Sequence, residues 1–181
     1  MNRVIKFKTK NGKNITIRRL RDTDYVAVTK YFKEFQKGPG AKWTWWYPTR
    51  PLKTQEQMTR AWADENQFFV AAFDRDKVVG VASAHKKQVD NPWAGRMATT
   101  GTTLLEKYTS NGIGTKFKQI VEKWARDNNV HKLQAEVRHK NVRSLGNLMK
   151  QGYEIVGIMR DTAFIDGEWQ HEYILEKILE E

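Results

Sequence analysis

Cysteine is absent from the 181 residues. Disulfides, thiolate metal sites and cysteine nucleophiles are thereby excluded. Apolar runs are short, and none reaches the roughly 18 residues that a membrane-spanning helix needs. The N-terminal stretch Met1-Asn2-Arg3-Val4-Ile5-Lys6-Phe7-Lys8 is charged at short intervals and lacks the apolar centre of a signal peptide. A cytoplasmic protein with no membrane attachment is therefore expected. The four histidines, His85, His131, His139 and His171, have no metal-ligand spacing, so no metal is assigned.

What is present suits one folded unit. Hydrophobic residues make up 39% of the chain, with seven Trp and eight Phe, and a single domain over residues 1–181 is expected. The formal net charge is +11. Such a surplus favours solubility and polyanions, either a phosphate-rich cofactor or nucleic acid. The Lys and Arg residues are spread along the chain rather than gathered in one block, which weakens the nucleic-acid reading.

Val4–Thr9 and Ile15–Arg19 flank Lys10-Asn11-Gly12-Lys13, which predicts a hairpin over residues 4–19. Asp22 and Thr23 can cap a helix running to about Phe35, with Tyr25, Val28, Phe32 and Phe35 on its apolar face. Gly38-Pro39-Gly40 ends it. The next stretch, residues 42–51, carries Trp43, Trp45, Trp46 and Tyr47 and is bounded by Pro48 and Pro51. It reads as a loop. Its rings are either a hydrophobic lid on the core or, through Trp45, Trp46 and Tyr47, an aromatic wall for a substrate amine. Thr54-Gln55-Glu56-Gln57 has capping-box spacing and opens a short helix with Met58, Ala61 and Trp62 inward. Strands at Phe68–Phe73 and Val78–Ala84 form a second hairpin, and residues 85–95, containing Asn91-Pro92, read as a polar loop.

Residues 97–105 are rich in threonine and leucine and suit a buried strand. A small-polar turn with Gly112 and Gly114 follows, then an amphipathic helix ending near Asn128-Asn129. Ile113, Phe117, Ile120, Val121 and Trp124 share one face of it, and Lys116, Lys118, Glu122 and Lys123 lie mainly on the other. Leu133, Ala135 and Val137 alternate with polar residues in a strand. Asn141 starts a third long helix with Leu145, Leu148 and Met149 inward, and Gly152 ends it. Tyr153–Arg160 and Tyr173–Ile178 are closing strands on either side of the Asp166-Gly167 turn. This order predicts an α/β (α+β) fold, a mixed sheet with helices on both faces, and a right-handed parallel crossover over residues 97–137.

A strand, a glycine turn and a helix N-terminus together make an anion site. The first helical amides lack internal partners, the macrodipole is positive there, and glycine lets a phosphate approach the backbone. Two phosphate motifs do not fit. A P-loop needs Gly-Lys-Ser/Thr, and the order here is Gly114-Thr115-Lys116. A dinucleotide fingerprint needs a third glycine where Phe117 stands.

The remaining pattern, Thr109-x-x-Gly112-x-Gly114, resembles the coenzyme A pyrophosphate loop of the GNAT superfamily of N-acetyltransferases, Arg/Gln-x-x-Gly-x-Gly/Ala. Asn141-Val142-Arg143-Ser144 with the later Lys150-Gln151-Gly152-Tyr153 is similar to the Asn-x-x-Ser and Lys-x-Gly-Phe of the branch containing ribosomal-protein alanine and spermidine acetyltransferases. Ile165-Asp166-Gly167-Glu168-Trp169 also resembles that branch's final hairpin. The resemblance spans roughly residues 14–180. It implies a sheet of about seven strands with splayed central parallel strands, a cofactor-binding core at 97–153, and acetyl-CoA as donor. It implies a primary amine as acceptor: a protein N-terminus, a polyamine or an antibiotic-like small molecule. A homodimer through the last strands would also follow.

The resemblance further implies particular roles. Amides of Thr109, Ser110, Asn111, Gly112, Ile113, Gly114 and Thr115 would hold the pyrophosphate. The strand edge at Leu104 would pair with the pantetheine arm, and an amide near the splay would polarise the thioester carbonyl. Asn141 would contact the pantetheine or pyrophosphate side. Ser144 shares its helix face and would protonate or orient the departing thiolate.

The departures are as informative. Thr109 replaces the Arg or Gln of the pattern, and Lys107 or Lys116 would compensate. Leu148 stands where many relatives have a tyrosine acid, which leaves Ser144 for that role or as an ordinary helix hydroxyl. The strand at 97–105 has no carboxylate, so the base is open among Glu34, His85, Glu106, Glu136 and a water chain. Two other function classes stay open as well. One is a basic nucleic-acid module with Trp45-Trp46-Tyr47 stacking on bases; the other is a coenzyme A-binding fold that does not catalyse.

Overall fold

The computed structural model describes residues 4–91, 93 and 96–179. Pro92 of the expected polar loop lies outside the described residues. The chain opens with the hairpin β1 (Ile5–Lys8) and β2 (Asn14–Arg19). A 3₁₀ turn at Asp22–Asp24 leads into α1 (Tyr25–Lys37). Asp24, rather than Asp22 or Thr23, is the N-cap residue. Its carboxylate accepts from Arg18 Nη1 and Nη2 at 2.6 and 2.8 Å, which pins the helix start to β2. The capping box forms as the spacing predicts and opens α2 (Gln55–Ala63), with Gln57 N–H donating to Thr54 Oγ1 at 3.3 Å.

Then follow β3 (Gln67–Asp74), β4 (Lys77–Lys87), β5 (Met97–Leu104), α3 (Ile113–Asp127), β6 (Lys132–Arg138), α4 (Val142–Lys150), β7 (Glu154–Ile165) and β8 (Glu168–Ile178). The eight strands form one mixed sheet in the order β1-β2-β3-β4-β5-β6-β8-β7. About seven were expected; both strands of the N-terminal hairpin join the sheet, because β2 pairs with β3. Among the described residues no helix is long and apolar enough to cross a membrane.

Three expectations change. Residues 85–87 are strand, not loop, because His85, Lys86 and Lys87 pair with Thr99, Ala98 and Met97. A ladder partner here outweighs polar composition. The last hairpin is longer at both strands, since β7 and β8 stay paired to its tip at Ile165 and Glu168. The helix after Asn141, α4, is short at nine residues, and Met149 points outward at 53% exposure. Only a narrow stripe through Leu145 and the fully buried Leu148 meets the body of the protein, and Met149 is a further 100° or so round the helix.

The parallel pair β5–β6 sets the architecture of the site. It holds only at Met97↔Lys132, Ala98↔Leu133 and Thr99↔Gln134. Beyond Thr99, β5 stays with β4 as far as Leu104↔Gly80, and β6 stays with β8 as far as Arg138↔Glu172. The sheet therefore forks. Side-chain alternation sorts the residues at the fork onto two faces. Ser83, His85, Thr99, Gly101, Thr103, Gln134 and Glu136 share the face under α1, whose Tyr31 hydroxyl donates to Thr103 Oγ1 at 2.9 Å. Thr100, Thr102, Leu104, Ala135 and Val137 share the face under α3, whose Phe68–Trp124 ring stack (5.2 Å) anchors it to β3.

Gly80 lets α3 lie close on this second face. A Cβ there would run into the Leu104 side chain and stand 3.0 Å from the Thr103 carbonyl oxygen and 3.2 Å from the Phe117 ring. Gly80→Ala should therefore destabilise the protein by about 1–3 kcal/mol. Urea unfolding of the variant checks this, and an unchanged midpoint would show that the strand relaxes.

Candidate active site

The fork opens into a cleft of about 1640 Å³ that reaches both faces of the sheet. Ten lysines and arginines line it against three glutamates, Glu106, Glu136 and Glu172, so the cleft attracts anions.

On the α3 face the glycine turn forms an anion nest. Ser110 and Gly112 have positive φ, at 59° and 88°. Gly112 is the N-cap residue of α3, and the first helical bond runs from Lys116 N–H to the Gly112 carbonyl at 3.0 Å. The amides of Ile113, Gly114 and Thr115 precede that bond and are left for a ligand. A Cβ at Gly112 would also stand 3.1 Å from the Phe7 ring, so this position is reserved for glycine on two counts. Lys116 lines the cleft and Lys107 does not; Lys107 sits over the Tyr108 ring instead, 5.4 Å from its centroid. Free amides, a left-handed glycine and a lysine together fit a pyrophosphate.

Several expected site residues serve the turn itself. Thr109 Oγ1 donates to the Glu106 carbonyl at 2.7 Å, and Asn111 Nδ2 donates to the Thr109 carbonyl at 2.8 Å. The Ile113 side chain is wholly buried in the core, which leaves only its amide for a ligand. Leu104 lines the cleft at the end of β5 and packs near Gly114. Asn141 is the N-cap of α4, its Oδ1 accepting from Ser144 N–H at 3.3 Å. Asn141 and Ser144 both line the cleft, and the Ser144 hydroxyl has no protein hydrogen-bond partner among the described residues. Leu148 is buried at the same wall.

Two residues on the α3 side of the cleft were missed. Asn147 Nδ2 donates to Thr115 Oγ1 at 2.8 Å and ties α4 to the nest. Lys118, expected on the outer side of α3, is buried at 8% exposure, lines the cleft, and donates to Thr102 Oγ1 at 3.3 Å. It lies four residues after Gly114, and that face of α3 looks onto the open part of β5. Burial lowers its ammonium to about 8. Apolar periodicity alone could not find it, because a cleft wall and a solvated face both read as polar.

On the α1 face the aromatic loop closes the cleft. Trp46 stacks on Phe32 at 3.9 Å and packs against the core, with the Arg50 guanidinium 4.8 Å from its centroid. Trp45 lines the cleft and has the Arg138 guanidinium 5.5 Å from its ring. Tyr47 is half-exposed and does not line the cleft, since the chain turns outward there; its carbonyl accepts from Gln36 Nε2 at 3.1 Å. The Trp45 and Trp46 rings thus each already have one of the protein's own arginines as a cation partner.

Of the four candidate bases, Glu34 is spent on Lys77 at 2.6 Å, outside the main cleft, and Glu106 on Arg143 at 2.9 Å. Glu136 is exposed and lines the cleft. His85 also lines it and is held by a chain of bonds. Gln67 Nε2 donates to Asp64 Oδ2 at 2.7 Å, which turns Gln67 Oε1 toward His85 Nδ1 at 3.1 Å. In that arrangement Nδ1 carries the proton and Nε2 keeps its lone pair. Burial, then Lys87 and Lys53, hold the imidazole below its ordinary range, so it is neutral at pH 7. Glu172, which sequence reasoning also missed, is a buried carboxyl at the cleft. Its Oε1 lies 3.7 Å from Arg138 Nε, and its buried Oε2 has no partner at hydrogen-bond geometry among the described residues; burial pushes its pKa up.

An acetyltransferase (GNAT) domain model matches residues 14–154. The chain belongs to the GNAT acetyltransferases. None of the curated protein sequences matches it. Among solved structures, a GNAT-family acetyltransferase from Streptococcus pneumoniae is similar at 19% identity and TM-score 0.82, covering 92% of this chain and 99% of that one. A ribosomal-protein-alanine N-acetyltransferase from Brucella melitensis is similar at 21% identity and TM-score 0.73, covering 90% of this chain and 99% of the other. A phosphinothricin acetyltransferase from Sinorhizobium meliloti, solved with acetyl-CoA, is similar at 21% identity and TM-score 0.75, covering 91% and 88%. This GNAT chain has the expected mixed sheet with helices on both faces.

The nest yields a test. A Cβ at Gly114 would make only ordinary contacts, 3.8 Å to Leu104 and 3.9 Å to Asn147, and a carboxylate in the first turn of α3 suits the helix dipole. Gly114→Glu should keep its melting temperature without ligand. It should lose the stabilisation by coenzyme A, which at about 100 times Kd is worth roughly 2.7 kcal/mol. Thermal unfolding with and without coenzyme A checks both.

Proposed function

We propose that this protein moves an acetyl group from acetyl-CoA to a primary amine by direct attack in a ternary complex. The fork between β5 and β6 is the observation that carries this reading. It joins an anion nest on one face to the His85 chamber on the other, so donor and acceptor reach one point from opposite sides. Acetyl-CoA supplies the activated thioester carbonyl.

The chain's residues divide the remaining work. The Thr109 amide is spent on the Glu106 carbonyl at 3.0 Å, so the free amides of Ile113, Gly114 and Thr115, with Lys116, hold the pyrophosphate. The open edge of β5 toward Leu104 offers backbone groups to the pantetheine arm, and an amide at the fork polarises the carbonyl. His85 Nε2 takes the proton from the amine, and Asp64–Gln67 keeps the imidazole in the needed tautomer. Glu136, exposed at the cleft, orients the amine's N–H groups. The new C–N bond forms as the C–S bond breaks, and Ser144 protonates or orients the leaving sulphur. The absence of cysteine leaves direct transfer as the economical route.

The basic cleft disfavours a polycationic acceptor such as a polyamine. A protein N-terminus or a small molecule with one amine fits better, and an α-amino group, with its pKa near 8, needs the least help. The test is amine-dependent release of thiol from acetyl-CoA, with peptides bearing free N-termini and with small primary amines. No release with any of them would overturn the catalytic reading.

Two variants refine it. His85→Gln should lower kcat/KM by about 100-fold or more. Neutral histidine is the active form, so wild-type activity should fall as pH drops through a value below the ordinary 6.5. The variant should lack that inflection, and a profile that keeps it would remove His85 from the role. Ser144→Ala should lower kcat while leaving the melting shift with coenzyme A in place; an unchanged kcat would show that Ser144 is only a helix hydroxyl.

A further inference from the structure

Lys118 is costly where it stands. It is a buried cation, and no carboxylate pairs with it among the described residues. Among those residues its Nζ hydrogen-bonds only the neutral Thr102 hydroxyl, at 3.3 Å. Thr102 belongs to the part of β5 that β6 has left, between the fork at Thr99 and the nest after Leu104. The Nζ atom is therefore held inside the donor half of the cleft, one helical turn inward from Gly114. With its pKa lowered to about 8 by burial alone, an appreciable fraction of this amine is neutral at physiological pH and carries a free lone pair. A lysine serving only to attract phosphates would gain nothing from such burial, and Lys116 already lines the nest.

We propose that Lys118 is a self-acetylation site, its Nζ accepting the acetyl group from acetyl-CoA bound in the same chain. This rests on the acetyl-CoA reading above. The Nζ lone pair attacks the thioester carbonyl carbon. The C–N bond forms, the C–S bond breaks, the nitrogen gives up one proton and the departing thiolate takes one up. The product is an uncharged amide, which removes the desolvation cost of the ammonium. The added acetyl group also fills donor space, so a modified chain binds coenzyme A more weakly. An acceptor arriving from the α1 face competes with this reaction; without one, the enzyme closes its own donor site.

The test is peptide mapping by mass spectrometry after the whole protein is incubated with acetyl-CoA and no added amine. One acetyl group should appear on Lys118 ahead of exposed lysines outside the cleft such as Lys123 and Lys30. It should be slowed by excess free coenzyme A and absent in Gly114→Glu. Modified protein should show a smaller melting shift with coenzyme A than untreated protein. An unmodified Lys118 overturns the inference. So does modification no faster than at Lys123, or equally fast in Gly114→Glu, since either marks solution chemistry. The coenzyme A melting shift of the untreated wild type separates the two failures: a shift without acetyl-Lys118 sinks only this inference, and no shift sinks the donor reading with it.

Discussion

Everything at this site depends on where one parallel strand pair stops. β5 and β6 exchange backbone hydrogen bonds only as far as Thr99 and Gln134. Each strand is then held by its other neighbour, β4 or β8, and the two part. Backbone groups that face the gap lose their strand partners. A buried polar group left unpaired costs about 1–3 kcal/mol, so the gap is a place where a ligand's amides and carbonyls are welcome. Thr100 Oγ1 reaches the Gln134 carbonyl at 3.4 Å and caps the end of the paired region. The sheet is thus both the rigid scaffold and the binding surface.

The two faces of the sheet then receive different chemistry. The α3 face has glycine, free amides and lysines, which suit a diphosphate. The α1 face has aromatic rings whose outer faces are stacked or taken by Arg50 and Arg138, together with His85, Glu136 and Glu172. Alternation along β5 and β6 does this sorting: neighbouring residues in one strand serve opposite compartments. A one-residue shift in register would exchange the compartments.

Charge follows the same division. Some exposed charges pair locally, as Lys123 does with Asp127 and Arg126 with Glu122 on α3. Such pairs contribute little to stability. The buried ionisable groups are fewer and less complete. Lys118 has only a hydroxyl, and Glu172 has one oxygen without a partner. Both border the cleft. Incompletely satisfied charges at a cleft are expected where a protein gives up some stability for chemistry.

Sequence by itself determined the local elements, because each rests on near neighbours along the chain. The Asn11-Gly12 turn, the Thr54 capping box, the apolar stripe of α3 and the glycine turn at 109–115 all appear where their spacing puts them. The turn's left-handed glycine and the helix start behind it were legible for the same reason. Only tertiary structure decided what those elements do to each other. Residues 85–87 became strand because β5 lay beside them. Thr109 and Asn111 were absorbed by their own turn, Tyr47 turned away from the cleft, and Lys118 turned into it. Gln67 and Asp64 mean little apart from His85, which is 18 residues from Gln67 in the chain. A hydrogen-bond partner, a burial cost or an open strand edge belongs to the space between elements, and spacing along one element carries no record of it.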